Sequence, residues 1–289
     1  MDGAAGLIER AAARLREGIN QPEITPRQPV LAAKLAEPSL TPEALVRNCT
    51  LDYATLARSG ILAPWSGTQR VVEEFRIIKR NIMARWISDE AKLSEGVART
   101  VMLTSSKPRE GKTFASISLA LAFAAEKELA TVLIDADPQR GEVARLLNLA
   151  SQPGLSEVLS RETQLSEALV QTDLPNLVVL PSGAQGARVP ELLSGEGPSL
   201  VFAQLARRYP KHVIIIDTAP CLASTGPAAL ATSVDQIVFV IEAAQTQRSE
   251  VEAAIHLLSG CRKISFLLNK IPESTENFGS YSYYGKLSR

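Results

Sequence analysis

From about residue 100 onward, short apolar runs alternate with stretches of helical periodicity. The runs at 100–104, 131–135, 177–180, 213–217, 236–241 and 264–268 are rich in Val, Ile and Leu, and several are apolar at nearly every position. Such runs predict strands buried on both faces, as in a parallel sheet. Between them, residues 112–126, 200–208 and 248–258 repeat apolar positions at helical spacing. Strand alternating with helix predicts an α/β fold, a doubly wound and mostly parallel sheet in three layers.

The earlier part of the chain has a different pattern. Val71, Phe75, Ile78, Ile82 and Trp86 line one face of a long amphipathic helix that begins near residue 66. Residues 3–18 place Leu7, Ile8, Ala11, Ala12 and Leu15 at helical spacing, with Gly18 as a stop. Pro22, Pro26, Pro29, Pro38 and Pro42 then predict an extended linker, with a short helix near 30–37. The division that follows is a helical and Pro-rich region at 1–65, an α/β domain at 66–272, and a tail at 273–289. The tail carries Tyr281, Tyr283 and Tyr284, three of the five tyrosines in the chain, among Gly279, Ser280, Ser282 and Gly285. Glycine and serine at that density predict a mobile segment.

Composition narrows the chemistry. The 31 basic and 31 acidic residues cancel, which argues against a polybasic surface and a nucleic-acid partner. Cys49, Cys221 and Cys261 are odd in number and far apart, so they read as scattered thiols in a reducing cytoplasm. His212 precedes an apolar strand and reads as an edge residue. No apolar run reaches the roughly 18 residues of a membrane span, and the start lacks a signal peptide's apolar stretch. A cytoplasmic protein is expected, meeting a membrane only through a partner.

Residues 104–114, TSSKPREGKTF, follow a predicted strand and open into a predicted helix. Ser106, Lys107, Pro108, Arg109, Glu110, Gly111, Lys112 and Thr113 fit the phosphate-loop pattern G-x-x-x-x-G-K-[ST], with Ser106 in place of the first glycine. The pattern curls backbone N–H groups around a β-phosphate at a helix N-terminus. Lys112 would reach the β- and γ-phosphates, and the Thr113 hydroxyl would ligate Mg²⁺. TVLIDADPQRG, at 131–141, ends a strand in Asp135 and Asp137. Side chains two apart in a strand share a face, so both acids can look toward the loop. HVIIIDTAP, at 212–220, ends another strand in Asp217, a position suited to holding Mg²⁺ through water. Asn269, in LLNK after the last strand, is a candidate reader of an adenine edge or a turn former.

A second acidic strand-end motif soon after the loop separates one branch of phosphate-loop proteins from generic ATPases. The chain resembles the bacterial tyrosine autokinases of polysaccharide export, particularly the exosortase-associated form. LIERAAARL, LDYATLARSGIL, EEFRIIKRNIM, the three nucleotide motifs, ELLSG, LARRYPKHVIIIDTAP and the terminal tyrosines carry the resemblance. It implies ATP and Mg²⁺ on Ser106–Thr113, with Lys112, Asp135, Asp137 and Asp217 as catalytic residues. One of Asp135 and Asp137, with Asp135 the better placed, would accept or orient the tyrosine proton, and Thr113, Asp137 and Asp217 would serve the metal. It further implies phosphorylation of Tyr281, Tyr283 and Tyr284 between subunits of a ring. Glu73, Arg76 and Lys79 match the motif that packs on a neighbouring subunit, Lys79 standing where arginine is usual. A membrane chain-length or co-polymerase protein is the implied partner, in exopolysaccharide synthesis or export.

Three departures from the family pattern bear on turnover more than on nucleotide binding. Arg109 replaces a glycine, Ala219 a proline, and Gln139 an arginine. Two other readings remain open on the sequence. Lys107 and DADPQ lean toward a partitioning or division-site ATPase switch, and a degenerate kinase would serve as an ATP-binding scaffold.

Overall fold

A computed structural model of the chain describes residues 47–66, 70–87, 98–149, 152–184 and 189–271. The helix expected at 3–18, the Pro-rich stretch, the helix near 30–37 and the tyrosine tail lie outside the described residues.

The strands are β1 (Arg47–Cys49), β2 (Thr100–Ser105), β3 (Ala130–Ala136), β4 (Val170–Thr172), β5 (Leu177–Leu180), β6 (His212–Thr218), β7 (Gln236–Glu242) and β8 (Ile264–Asn269). They form one sheet in the order β1-β4-β5-β3-β6-β2-β7-β8. All neighbouring pairs are parallel except β4 with β5. The longer helices are α2 (Arg70–Ile87), α3 (Lys112–Ala124), α8 (Gly197–Arg208) and α10 (Arg248–Leu257). Shorter ones are α1 (Tyr53–Arg58), α4 (Glu142–Leu146), α5 (Leu155–Leu159), α6 (Leu165–Ala168), α7 (Val189–Ser194) and α9 (Gly226–Leu230).

Strand periodicity sorts the core into two layers. Val101, Leu103, Leu133, Val213, Ile215, Val238 and Val240 pack with α2 and α3 on one face. Met102, Val132, Ile134, Ile214, Ile216, Ile237 and Phe239 pack with α8 and α10 on the other. Alternate residues of one strand face opposite helical layers, so these strands are apolar throughout. The helix expected near residue 66 is α2. Its Phe75, Ile82 and Trp86 are buried, and Val71 and Ile78 partly so. Phe75 meets Phe114 edge to face at 5.7 Å, and Trp86 meets Phe123 at 6.0 Å, which seats α2 along α3.

Two sequence readings change. Residues 47–63 belong to this core, although the boundary at 65 assigned them to the N-terminal region. β1 pairs with β4, and Leu51, Leu56 and Ile61 are buried with the α2 and α3 layer. His212 opens an interior strand and is fully buried, so it is not an edge residue. Its Nε2 accepts from the Arg99 N–H at 3.2 Å, its Nδ1 faces the Tyr209 carbonyl, and burial lowers its pKa.

Candidate active site

Topology brings the sequence candidates to one edge. β2, β3 and β6 are adjacent, and the parallel register puts Asp135 directly across from Asp217. The loop from β2 to α3 sits at that same edge. Cys221 N–H donates to the Ser105 carbonyl at 2.8 Å and Leu222 N–H to the Ser106 carbonyl at 3.2 Å, tying the loop to the segment after β6.

The loop has a phosphate-binding shape. Gly111 has φ 96°, and a Cβ there would lie 2.0 Å from Asn269 Nδ2, so only glycine fits. Gly111 makes no side-chain cap, which leaves the first N–H groups of α3 open to an anion. Arg109 also has a positive φ, 71°. An L-residue in this left-handed region costs about 1–2 kcal/mol relative to glycine. The backbone thus supplies a physical reason for a glycine at 109, and the arginine is held there against it.

Lys112 is 3% exposed, and its Nζ lies 3.4 Å from both Asp137 Oδ2 and Thr113 Oγ1. Thr113 Oγ1 donates to Asp217 Oδ2 at 2.7 Å, and Ser116 Oγ donates to Asp217 Oδ1 at 2.9 Å. Asp135 accepts from the N–H groups of Asp137 and Ala144, each at 3.1 Å. The parity expectation is half right. Asp135 points to the α3 layer, but β3 ends at Ala136, so Asp137 lies beyond the strand and reaches Lys112 from the turn. Ser116 was not singled out in the sequence, although it stands one helical turn after Lys112.

Two buried polar atoms here make no hydrogen bond. Ser106 Oγ has none, and Asp137 Oδ2 is met only by the Lys112 ammonium at 3.4 Å. A buried hydroxyl with no hydrogen bond is costly unless a ligand completes it. Phosphate oxygens would accept from Ser106 and Lys112, and metal-bound water would donate to Asp137. Among the described residues no three His, Cys, Asp or Glu side chains form a metal cluster. Mg²⁺ commonly takes one or two protein oxygens and draws its other ligands from phosphate and water, and the Thr113 hydroxyl and the Asp137 and Asp217 carboxylates are oxygens of that kind. The donor set fits a nucleotide and its cation.

The AAA domain family matches residues 98–270. The putative tyrosine-protein kinase CapB of Staphylococcus aureus is 30% identical over 218 residues, spanning 75% of this chain and 91% of the relative. The chain belongs to the bacterial tyrosine-kinase family. The VpsO kinase domain is 31% identical, with a TM-score of 0.56 over 67% of this chain and 98% of that domain. The chimerical protein CapA2B2, at 22% identity, shares the fold with a TM-score of 0.65 over 79% of this chain and 95% of its own.

The kinase site carries a charge problem in its carboxylates. Burial, then the charge of Asp217, pushes Asp135 up to about 7. Burial pushes Asp217 up to about 6, while Lys112 and the Thr113 and Ser116 hydroxyls pull the other way. Two acids in register in a dry site hold a proton into the neutral range.

Other residues from the sequence reading are placed as follows. Asn269 Nδ2 donates to the Glu110 carbonyl at 3.0 Å, so its amide nitrogen serves the loop. Glu110 is buried, accepts from the Lys107 N–H at 2.8 Å and is met by the Thr246 hydroxyl. Lys107 pairs with Glu250 of its own chain at 2.8 Å. Pro108 is exposed in the loop, as are Gln139 and Arg140 after β3. Glu73 pairs with Arg76, whose Nη2 also donates to the Pro64 carbonyl at 2.9 Å. Lys79 Nζ donates to the Ala122 carbonyl at 3.2 Å and pairs with Glu126, at the C-terminal end of α3. Among the described residues, no helix is long and apolar enough to cross a membrane.

Proposed function

We propose that the kinase uses Mg²⁺ and ATP to phosphorylate Tyr281, Tyr283 and Tyr284 of a neighbouring copy, as part of exopolysaccharide synthesis or export with a membrane co-polymerase partner. The observation that carries this reading is the buried cluster of Lys112, Thr113, Asp135, Asp137 and Asp217 at an open helix N-terminus, with Ser106 Oγ making no hydrogen bond and Asp137 Oδ2 met only by Lys112.

In this reading Lys112 and the loop N–H groups hold the β- and γ-phosphates in line with the acceptor. Thr113, Asp137 and Asp217 serve the cation, which supplies neutralisation of the charge developing on the phosphate oxygens. Asp135 accepts the phenol proton as the tyrosine oxygen bonds to the γ-phosphorus and the bond to the β–γ bridging oxygen breaks, releasing ADP. A pKa near neutrality suits a group that must be ionised yet able to take a proton. Glu73, Arg76 and Lys79 are proposed to shape the side of α2 that meets the next subunit. Their contacts within the chain fix that surface in advance.

The test is incubation of purified protein with ATP and Mg²⁺, followed by mass spectrometry of phosphotyrosine. Phosphate on the three tail tyrosines supports the reading. Tail tyrosines left unmodified with the membrane partner present would remove it.

A further inference from the structure

Two successive peptide groups of the phosphate loop are held from outside by the end of β8. Lys270 Nζ donates to the Arg109 carbonyl at 2.7 Å, and Asn269 Nδ2 donates to the Glu110 carbonyl at 3.0 Å. The Lys270 ammonium is anchored a second time by Glu242 Oε2 at 3.1 Å. Ala243 N–H donates to the Asn269 carbonyl at 2.9 Å, which keeps the end of β8 beside β7.

In a trans peptide the carbonyl and the following N–H point in opposite directions. No cis peptide occurs among the described residues. Carbonyls 109 and 110 are drawn toward β8, so the N–H groups of Glu110 and Gly111 turn away from it. A phosphate-binding nest needs successive N–H groups turned to one side in this way. Gly111 reaches its φ of 96° freely, but Arg109 at φ 71° does not.

We propose that Lys270 is a positioning residue that holds Arg109 in its left-handed conformation and so keeps the loop's N–H groups aimed at the nucleotide phosphates. It does for an arginine what a glycine would do unaided. The inference rests on the nucleotide reading above. A simpler rival is that Lys270 adds only a positive charge near the phosphates, and the two differ in their dependence on residue 109.

Calorimetric titration with ATP and Mg²⁺ separates them, using the full chain, Lys270→Met, Arg109→Gly and the double variant, with thermal melting as the check on folding. Lys270→Met is expected to weaken ATP binding about tenfold with Arg109 present, near 1.4 kcal/mol, and about twofold or less with glycine at 109. Equal losses in both backgrounds, or no loss with Arg109 present, overturn the proposal. Should Lys270→Met not fold, Glu242→Gln removes the ammonium's second anchor, and the same dependence on residue 109 is expected. A folded wild-type chain that binds no ATP overturns the nucleotide reading itself, and with it this inference.

Discussion

Replacing Asp135 with asparagine isolates one charge in the most enclosed part of the site. The side chain is fully buried, accepts two backbone N–H groups and faces Asp217 in register. Its pKa rises from a free aspartate's 3.8 to about 7. The folded protein therefore holds this proton more tightly than the unfolded chain. Stability from that proton is complete below about pH 4 and is lost as pH rises through about 7. At about 1.4 kcal/mol per tenfold difference in proton affinity, ionised Asp135 destabilises the ligand-free fold by about 4 kcal/mol above neutrality. Asparagine removes the titration but faces one N–H donor with its own amide, a loss of about 1–3 kcal/mol that does not change with pH. The pH dependence of the difference is therefore the clean quantity. Urea denaturation without nucleotide or Mg²⁺ is the assay. From about pH 5 to about pH 8, Asp135→Asn is expected to gain about 2–3 kcal/mol relative to wild type. A difference that stays constant across that range would refute a buried, proton-holding Asp135.

Other expectations follow from the same geometry. Gly111→Ala would drive a Cβ to 2.0 Å from Asn269 Nδ2 at a left-handed φ; ATP affinity measured by titration should fall at least about fivefold through strain of about 1–3 kcal/mol. Leu56→Ala should lower unfolding stability by about 2–5 kcal/mol, because Leu56 is 1% exposed in the shared core; a change near zero would return residues 47–63 to a separate region. Lys79→Ala should cost about 1 kcal/mol in chemical denaturation by freeing the Ala122 carbonyl; a change near zero would show that the contact adds nothing to the fold.

The central sheet was legible because β2, β3, β6 and β7 are apolar on both faces and flanked by helical periodicity. β1 and β4 were not, because three-residue strands such as Arg47–Cys49 carry no period to read and depend on their partner for existence. The phosphate loop and the three aspartates were visible through spacing alone. What spacing could not show is which oxygen of each acid is committed. Ser116 on Asp217, Thr246 on Glu110 and Lys270 on the Arg109 carbonyl are contacts made by the fold, all between residues more than a hundred positions apart. The substitution at Arg109 was visible as a departure, but its meaning required the backbone angle.

The most direct test of tail phosphorylation between copies is a mixing assay. Lys112→Ala with its tail intact is combined with an otherwise active chain whose Tyr281, Tyr283 and Tyr284 are phenylalanine. Lys112→Ala alone is expected to lose about a hundredfold or more in rate, as a lysine stabilising transition-state charge should. In the mixture, with ATP and Mg²⁺, phosphotyrosine is expected on the tail of the Lys112→Ala chain. Absence of phosphate from that tail, with the unsubstituted protein phosphorylated under the same conditions, would contradict transfer between subunits.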